Sequence, residues 1–128
     1  MSDYKGRLIE VERVPGRQGD IAQILILPAA IIEADCEPLL IEITEALRTV
    51  SPRLAIDFRR LGHVSSAMLG VLVRVKNRAA EAGGAIALFD LPEEIMTVMS
   101  LTRLDAIFPI AGDAADAIAL LEAGASDG

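Results

Sequence analysis

Three side chains that could carry out nucleophilic chemistry lie close together in the sequence: His63, Ser65 and Ser66. An imidazole activates a serine hydroxyl only when the two groups are within hydrogen-bonding reach. A separation of two or three residues at a strand-to-helix turn rarely gives that geometry, and no buried carboxylate that would orient the histidine can be identified. The segment also lacks the G-x-S-x-G motif. We therefore predict that the chain has no catalytic residues and is not an enzyme.

Other kinds of chemical site have still less support in the sequence. The single histidine and single cysteine, Cys36, exclude a metal site rich in these residues and an internal disulfide. Cys36 lies near a predicted helix start, where a lowered thiol pKa is one reading and a structural role is the preferred one. No glycine-rich phosphate-binding motif is present, so we predict no cofactor.

Composition argues against a nucleic-acid partner. The net charge is −7, and the chain has three Phe, one Tyr and no Trp. A phosphate backbone would be repelled overall, and a platform of aromatic side chains for stacking bases is missing. With 128 residues, of which 52% are hydrophobic, the chain is expected to fold around an aliphatic core.

Two adjacent serines at a predicted helix start are the unusual feature of the sequence. One hydroxyl can cap the helix by accepting a hydrogen bond from a free backbone amide, which contributes roughly 1 kcal/mol. The second hydroxyl would project into solvent. There the free amides and the helix dipole would favour a phosphate by about 0.3–1 kcal/mol. The pair therefore predicts a surface hydroxyl that can accept a phosphate without unfolding the protein.

The elements that must position these serines follow from the hydropathy pattern. Leu8–Val14 alternates between apolar and polar residues, and Ile21–Leu27 is apolar on both faces, which predicts an antiparallel hairpin. Helical and strand patterns then alternate, in the order β-β-α-β-α-β-α-β-α. This order predicts an α/β fold: a mixed sheet with an N-terminal antiparallel hairpin and helices packed on the sheet.

The later elements have the following predicted bounds. The first helix has Asp35 as its N-cap and Pro38 in its first turn. The second helix has Leu69, Leu72, Val73, Ala79 and Ala80 on its inner face. A capping box of Asp90 and Glu93 starts the third helix. The remaining predicted elements are strands Leu54–Phe58, Ala85–Phe89 and Ala106–Ile110, helix Ser66–Ala82 and helix Asp113–Ala123.

Taken in order, these segments resemble a STAS domain of the anti-sigma factor antagonist family. The resemblance covers roughly Arg7–Leu121. In that family a buried strand is followed by Asp-Ser-(Ser/Ala)-Gly-Leu-Gly at a helix start, then Gly-Gly, a strand and a Pro-initiated helix. The matching segments here are Leu54–Phe58, Ser65–Gly70, Gly83-Gly84, Ala85–Phe89, Leu91–Glu94 and Leu101–Ile110.

The resemblance implies a bacterial regulatory binding protein. Similar proteins bind an anti-sigma factor, which is often a serine protein kinase, until that kinase phosphorylates the first serine of the motif. A PP2C-type phosphatase reverses the switch. The phosphoacceptor corresponds to Ser66, with Ser65 as the weaker alternative. Serine replaces the family's aspartate at Ser65, and methionine replaces its glycine at Met68.

The predicted partner-binding surface surrounds this helix start. It comprises Ser65, Ser66, Met68 and His63, together with Ile32 and Glu33, since another frequent aspartate of the family aligns near Ile32. Two alternatives stay open: a constitutive STAS scaffold subunit of a larger signalling or transport assembly without phosphorylation, and a small enzyme using Ser66 and His63.

Domain organisation and location are predicted from the chain as a whole. We expect a single domain over residues 1–128, with its core at about 7–122 and a short polar end at 124–128. The start of the chain lacks a signal-peptide core. The longest apolar stretch, Ile24–Ile32, is too short to span a membrane and contains Pro28. These features predict a cytoplasmic protein without a membrane span.

Overall fold

In the computed structural model, the backbone is described for residues 4–124 and the side chains for residues 6–123. Six strands form one sheet in the order β1-β2-β3-β4-β5-β6. The strands are β1 (Tyr4–Lys5), β2 (Ile9–Val14), β3 (Ile21–Ile26), β4 (Arg53–Asp57), β5 (Ala85–Phe89) and β6 (Ile110–Ala111). The helices are α1 (Glu33–Thr49), α2 (Ser66–Glu81), α3 (Glu93–Leu101) and α4 (Ala114–Gly124), with a 3-10 turn at Leu104–Ala106. The predicted α/β fold is confirmed, with β1 as an additional short edge strand.

The sheet changes from antiparallel to parallel pairing at β3. Strands β1, β2 and β3 pair antiparallel, so the predicted hairpin is confirmed, with Ile9 opposite Ile26. Strands β3, β4, β5 and β6 pair parallel, as their helical connections require. Parallel pairing brings the carboxyl ends of β3 and β4 to the same edge of the sheet, where the two loops of the candidate site begin.

Side chains on the two faces of the sheet enter different cores. Along β4, Leu54 and Ile56 point into the larger core, to which α1, α2 and α3 contribute, whereas Ala55 points into a smaller one. Helix α4 covers the smaller core with Ala117 and Leu121. Successive side chains of a strand point to opposite faces of the sheet. Because both faces of β4 are buried, its sequence is almost continuously apolar.

Helix α1 begins earlier than predicted. Its N-cap is Ile32, and Asp35 is the third helical residue rather than the cap. The Asp35 carboxylate accepts a hydrogen bond from the Ile32 backbone N–H at 3.3 Å, so the aspartate still caps the helix from within its first turn. Pro38 consequently lies inside the helix rather than in its first turn.

Two predictions about the last third of the chain are wrong in detail. Asp90 does not cap α3, because its backbone is left-handed (φ 55°) and the N-cap is Pro92. The predicted strand Ala106–Ile110 is replaced by the 3-10 turn and by β6, which only begins at Ile110. The left-handed backbone of Asp90 does not provide the extended conformation of an N-cap, and Pro109, which lacks a backbone N–H, directly precedes β6.

The buried face of α2 is also rotated relative to the prediction. Leu72 and Ala79 are buried as predicted, but the other buried residues are Met68, Val71 and Val75. Val73 is only half-buried, and Ala80 is exposed. The predicted and observed sets both follow helical spacing, so hydropathy alone does not separate them.

Candidate functional site

The site begins at the carboxyl end of β4, where Asp57 anchors the loop that leads to α2. Asp57 is only 4% exposed. Its carboxylate accepts a hydrogen bond from the backbone N–H of Arg59 at 2.9 Å and lies 3.3 Å from the Arg59 Nε. Burial raises the pKa of Asp57, although the contacts with Arg59 oppose the shift. Asp57 was not among the predicted site residues; the signal in the sequence was a carboxylate that ends the otherwise apolar run at β4.

The loop between β4 and α2 is held in place by buried side chains. Phe58, Leu61 and Val64 all lie in the larger core. The backbone N–H of Phe58 donates to the carbonyl of Phe89 at 3.1 Å, and that of Leu61 donates to the carbonyl of Phe58 at 3.0 Å. Because these three buried side chains fix the loop, the residues between them, including His63, have a defined position on the surface.

Ser65 and Ser66 have different roles at the start of α2, as predicted. Ser65 is the N-cap, and its Oγ accepts a hydrogen bond from the backbone N–H of Met68 at 3.2 Å. Ser66 is the first helical residue and is exposed. Its hydroxyl has no hydrogen-bond partner within the part of the chain that the structure describes. The Ser66 hydroxyl is therefore open to solvent and to a partner.

The loop before α1 lies beside the loop before α2. Ala30 and His63 form a parallel β-bridge, and the backbone N–H of Gly62 donates to the carbonyl of Ala29 at 2.7 Å. Ile32 follows this contact, and its large apolar side chain is 61% exposed. The structure thus brings the segment containing Ile32 next to the one containing His63.

Five predicted site residues are at least partly accessible, and we refer to them together as the serine face. They are Ile32, Glu33, His63, Ser65 and Ser66. Met68 is not among them, because its side chain is fully buried (0% exposed) in the larger core. The predicted place of Met68 in the partner-binding surface is therefore wrong: a side chain packed into the core cannot reach a partner on the surface.

The start of α2 is electrostatically different from the starts of the other described helices. The first turn of α2 contains no acidic residue, whereas those of α1, α3 and α4 contain Glu33, Glu93 and Asp116 respectively. The positive end of the α2 dipole is thus left without an acidic side chain from its own first turn. Added negative charge at Ser66 would interact favourably with it.

The structure gives no support to nucleophilic catalysis at this face. Within the described side chains, neither Ser65 nor Ser66 is hydrogen-bonded to His63. Burial raises the pKa of the Cys36 thiol, and the carboxylates of Glu33, Asp35 and Glu37 raise it further. The lowered thiol pKa considered for Cys36 is therefore wrong, since burial and these acids act against the thiolate.

The described part of the chain contains neither a cluster of metal ligands nor a helix able to span a membrane. Among residues 4–124, no group of three or more His, Cys, Asp and Glu side chains could hold a metal ion. None of the helices over the same residues combines the length and apolar character that crossing a bilayer requires.

Comparison with known proteins places this site in a family context. Residues 6–110 match the family model described as "Mlab, STAS domain". No protein of curated function matches the sequence significantly. The Ser65–Gly70 segment lies within the matched residues, so the candidate site is part of what the family model covers.

Among solved structures, 21 chains match. An anti-sigma-factor antagonist (STAS) domain protein from Planctomyces limnophilus is 21% identical, with a TM-score of 0.69 over 87% of this chain and 96% of that one. The Bacillus cell fate determinant SpoIIAA in its phosphorylated form is 17% identical, with a TM-score of 0.58 over 82% and 92%. SLC26A9 is 13% identical, with a TM-score of 0.57 over 83% of this chain and 20% of that one. At these identities the likeness shows the fold.

Proposed function

This chain belongs to the STAS domain family, and from that premise we propose that it is a regulatory binding protein like the anti-sigma factor antagonists, switched by phosphorylation of Ser66. In this proposal the serine face binds an anti-sigma factor that is also a serine protein kinase. The kinase transfers phosphate to Ser66, and a PP2C-type phosphatase removes it. The protein performs no chemistry of its own and acts in the cytoplasm.

The observation that carries the proposal is that one serine caps α2 and the other does not. Ser65 alone caps α2, so the hydroxyl of Ser66 has no structural duty within the described residues. A phosphate there would add about −1.5 to −2 charges to the serine face. Burying such a charge against an apolar partner costs several kcal/mol, whereas a loss of about 1.4 kcal/mol already weakens binding tenfold.

The departure from the family pattern at Ser65 is compatible with this switch. Aspartate and serine are both favourable N-cap residues, because each offers a side-chain oxygen to the free amides of the first turn. Ser65 therefore preserves the geometry that presents Ser66, while the local charge differs by one. We expect the cognate kinase to read the position of Ser66 rather than an acidic residue before it.

Phosphate mapping tests the proposal directly. The protein is purified from its native cells under several growth conditions, and intact and fragment masses are measured. We expect one phosphate on Ser66, which is lost in Ser66→Ala and retained in Ser65→Ala. Ser100→Ala, at another exposed serine, serves as the control. Unmodified Ser66 under every condition would contradict the switch.

Partner binding by two variants of Ser66 provides a second test of the proposal. Ser66→Asp adds a charge, and Ser66→Asn provides a neutral side chain of nearly the same shape. We expect Ser66→Asp to bind the cognate partner at least tenfold more weakly than Ser66→Asn. Equal binding by the two variants would overturn the proposed role of charge at this position.

A second function is favoured by one comparison. In SLC26A9 the matched part is only about a fifth of the chain, so this fold also occurs as one part of a larger protein. On this alternative the chain is a constitutive scaffold subunit of a larger signalling or transport assembly. Its expected signature is stoichiometric co-purification with other subunits under all conditions, with no phosphate on Ser66 and no effect of Ser66→Asp.

A further inference from the structure

Arg53, the first residue of β4 and far from the serine face, is a buried cation with an unused hydrogen-bond donor. Its side chain is 7% exposed. Nη2 donates to the carbonyl of Gly19, and the backbone N–H donates to the Oγ of Ser51 at 3.0 Å. Nη1 is buried but has no partner within the described residues. A buried guanidinium N–H without an acceptor is costly, so the geometry calls for an acceptor from outside the chain.

Arg53 also lines a cavity into which such an acceptor would fit. The cavity has a volume of about 370 Å³ and lies between the β2–β3 turn, the start of β4 and the turn after α2. Gln18, Ser51 and Gly83 are among its other lining residues. We refer to it as the Arg53 cavity. Its volume is more than ten times the roughly 30 Å³ that one water occupies in the liquid.

The charges around the cavity favour an anion. Asp20 lines the cavity, but its carboxylate lies 2.9 Å from the Arg13 Nη1, so its charge is compensated. Arg13 also donates to the carbonyl of Val50, another lining residue. Arg53 forms no ion pair with a carboxylate among the described side chains. Arg53 is thus a positive charge on the cavity wall without a paired carboxylate among these side chains, in a chain whose net charge is −7.

We propose that the Arg53 cavity binds a small oxyanion, through a phosphate or carboxylate group that accepts a hydrogen bond from the Arg53 Nη1. Charge-assisted hydrogen bonds from a guanidinium to such groups are among the strongest in proteins. The cavity lies at the start of β4, whereas the serine face follows the end of that strand, and the two ends of its five residues are roughly 13 Å apart. The proposal therefore stands or falls independently of the Ser66 switch.

A titration followed by ¹⁵N–¹H NMR tests the proposal on the wild-type protein. Sodium phosphate, sodium acetate and sodium chloride are added separately at matched ionic strength. We expect saturable shifts of the Gln18, Gly19, Ser51 and Gly83 amides with phosphate, acetate or both, and none with chloride. Saturation by phosphate alone identifies a phosphate group, and saturation by acetate identifies a carboxylate. Absence of saturable shifts with both oxyanions overturns the proposal.

Arg53→Lys and Arg60→Met form the matched pair of variants. Lysine keeps the charge at position 53 but loses the guanidinium fork, so we expect binding at least tenfold weaker. Arg60 is exposed and lies in the β4–α2 loop, so Arg60→Met removes a charge while leaving the cavity intact. Oxyanion binding by Arg53→Lys that is as strong as that of wild type would refute the site. Binding by Arg60→Met that is weakened as much as that of Arg53→Lys would also refute it, because it would show a general effect of charge. If Arg53→Lys fails to fold, the wild-type titration decides alone.

Discussion

Ser65 and Met68, the two positions at which the chain departs from the STAS motif, are joined by a hydrogen bond: the Met68 backbone N–H donates to the Ser65 Oγ at 3.2 Å. Ser65 performs the capping that the family's aspartate would perform. Met68 fills the core directly beneath the exposed turn, where a glycine would leave space. The two substitutions therefore preserve the backbone geometry around Ser66, and the serine at position 65 removes one negative charge beside it.

The capping role of Ser65 predicts a measurable loss of stability on its removal. Ser65→Ala leaves the Met68 N–H without its side-chain acceptor, and we expect the free energy of unfolding to fall by about 1 kcal/mol. Ser65→Asp, which restores the family residue, should retain at least wild-type stability. Urea denaturation of both variants checks this. Equal stability of Ser65→Ala and wild type would show that the hydrogen bond contributes nothing.

The buried position of Met68 predicts a structural rather than a binding phenotype. Met68→Ala leaves a cavity in the larger core, and we expect it to lower the free energy of unfolding by about 2–5 kcal/mol. Met68→Leu conserves the volume and should cost less than about 1.5 kcal/mol. Denaturation curves measure both. Partner binding by Met68→Leu should equal that of wild type, and a selective loss of binding would restore Met68 to the interface.

The start of α2 could be predicted from sequence because its determinants are local. The N-cap residue and the backbone N–H that it caps lie within four positions of each other, and serine, threonine, aspartate and asparagine are the side chains that cap best. Asp57 and Arg53 were not recognised, since each depends on a strand being buried by distant elements. The Ile32 segment lies beside His63 only because β3 and β4 pair parallel. Ile32 was predicted as a site residue from the family resemblance, not from the hydropathy pattern.

The prediction failed where local and tertiary preferences compete. Asp90 and Glu93 have the spacing of a capping box, yet the backbone of Asp90 is left-handed rather than extended, and Pro92 is the N-cap of α3. Met68 was assigned to the partner-binding surface because it lies in the motif beside the two serines, where it replaces the family's glycine, but packing of α2 against α1 and the sheet buries it.

The Gly83-Gly84 pair, predicted as a helix stop, contains two glycines with different requirements. Gly83 has φ 81°, and a Cβ there would meet nothing within 4 Å, so Gly83→Ala should cost about 1 kcal/mol. A Cβ on Gly84 would lie 2.0 Å from the carbonyl oxygen of Pro52, so the backbone would have to move. We expect Gly84→Ala to cost on the order of 3 kcal/mol or more. Thermal denaturation compares them, and equal losses would contradict the close approach.

Asp57 predicts a pH dependence of stability. Burial raises its pKa in the folded chain, so the folded state retains the proton to higher pH than the unfolded state does. The corresponding contribution to stability is complete below the unfolded pKa and is lost as the pH rises through the raised folded pKa. Relative to Asp57→Asn, the wild type should therefore become less stable as the pH rises above the ordinary aspartate pKa of about 3.9. Chemical denaturation at a series of pH values measures the difference, and a constant or opposite trend would contradict it.

Charge at Ser66 is predicted to leave the fold intact while changing the surface. The first turn of α2 contains no acidic residue, so the carboxylate of Ser66→Asp meets the positive end of the helix dipole without repulsion from within that turn. We expect the free energy of unfolding to stay the same or rise by about 0.3–1 kcal/mol, more at low salt than at high salt. Ser66→Asn, with no charge, should show no such salt dependence. Destabilisation of Ser66→Asp by more than about 1 kcal/mol would mean that phosphorylation acts by disturbing α2 rather than by altering the charge of the serine face.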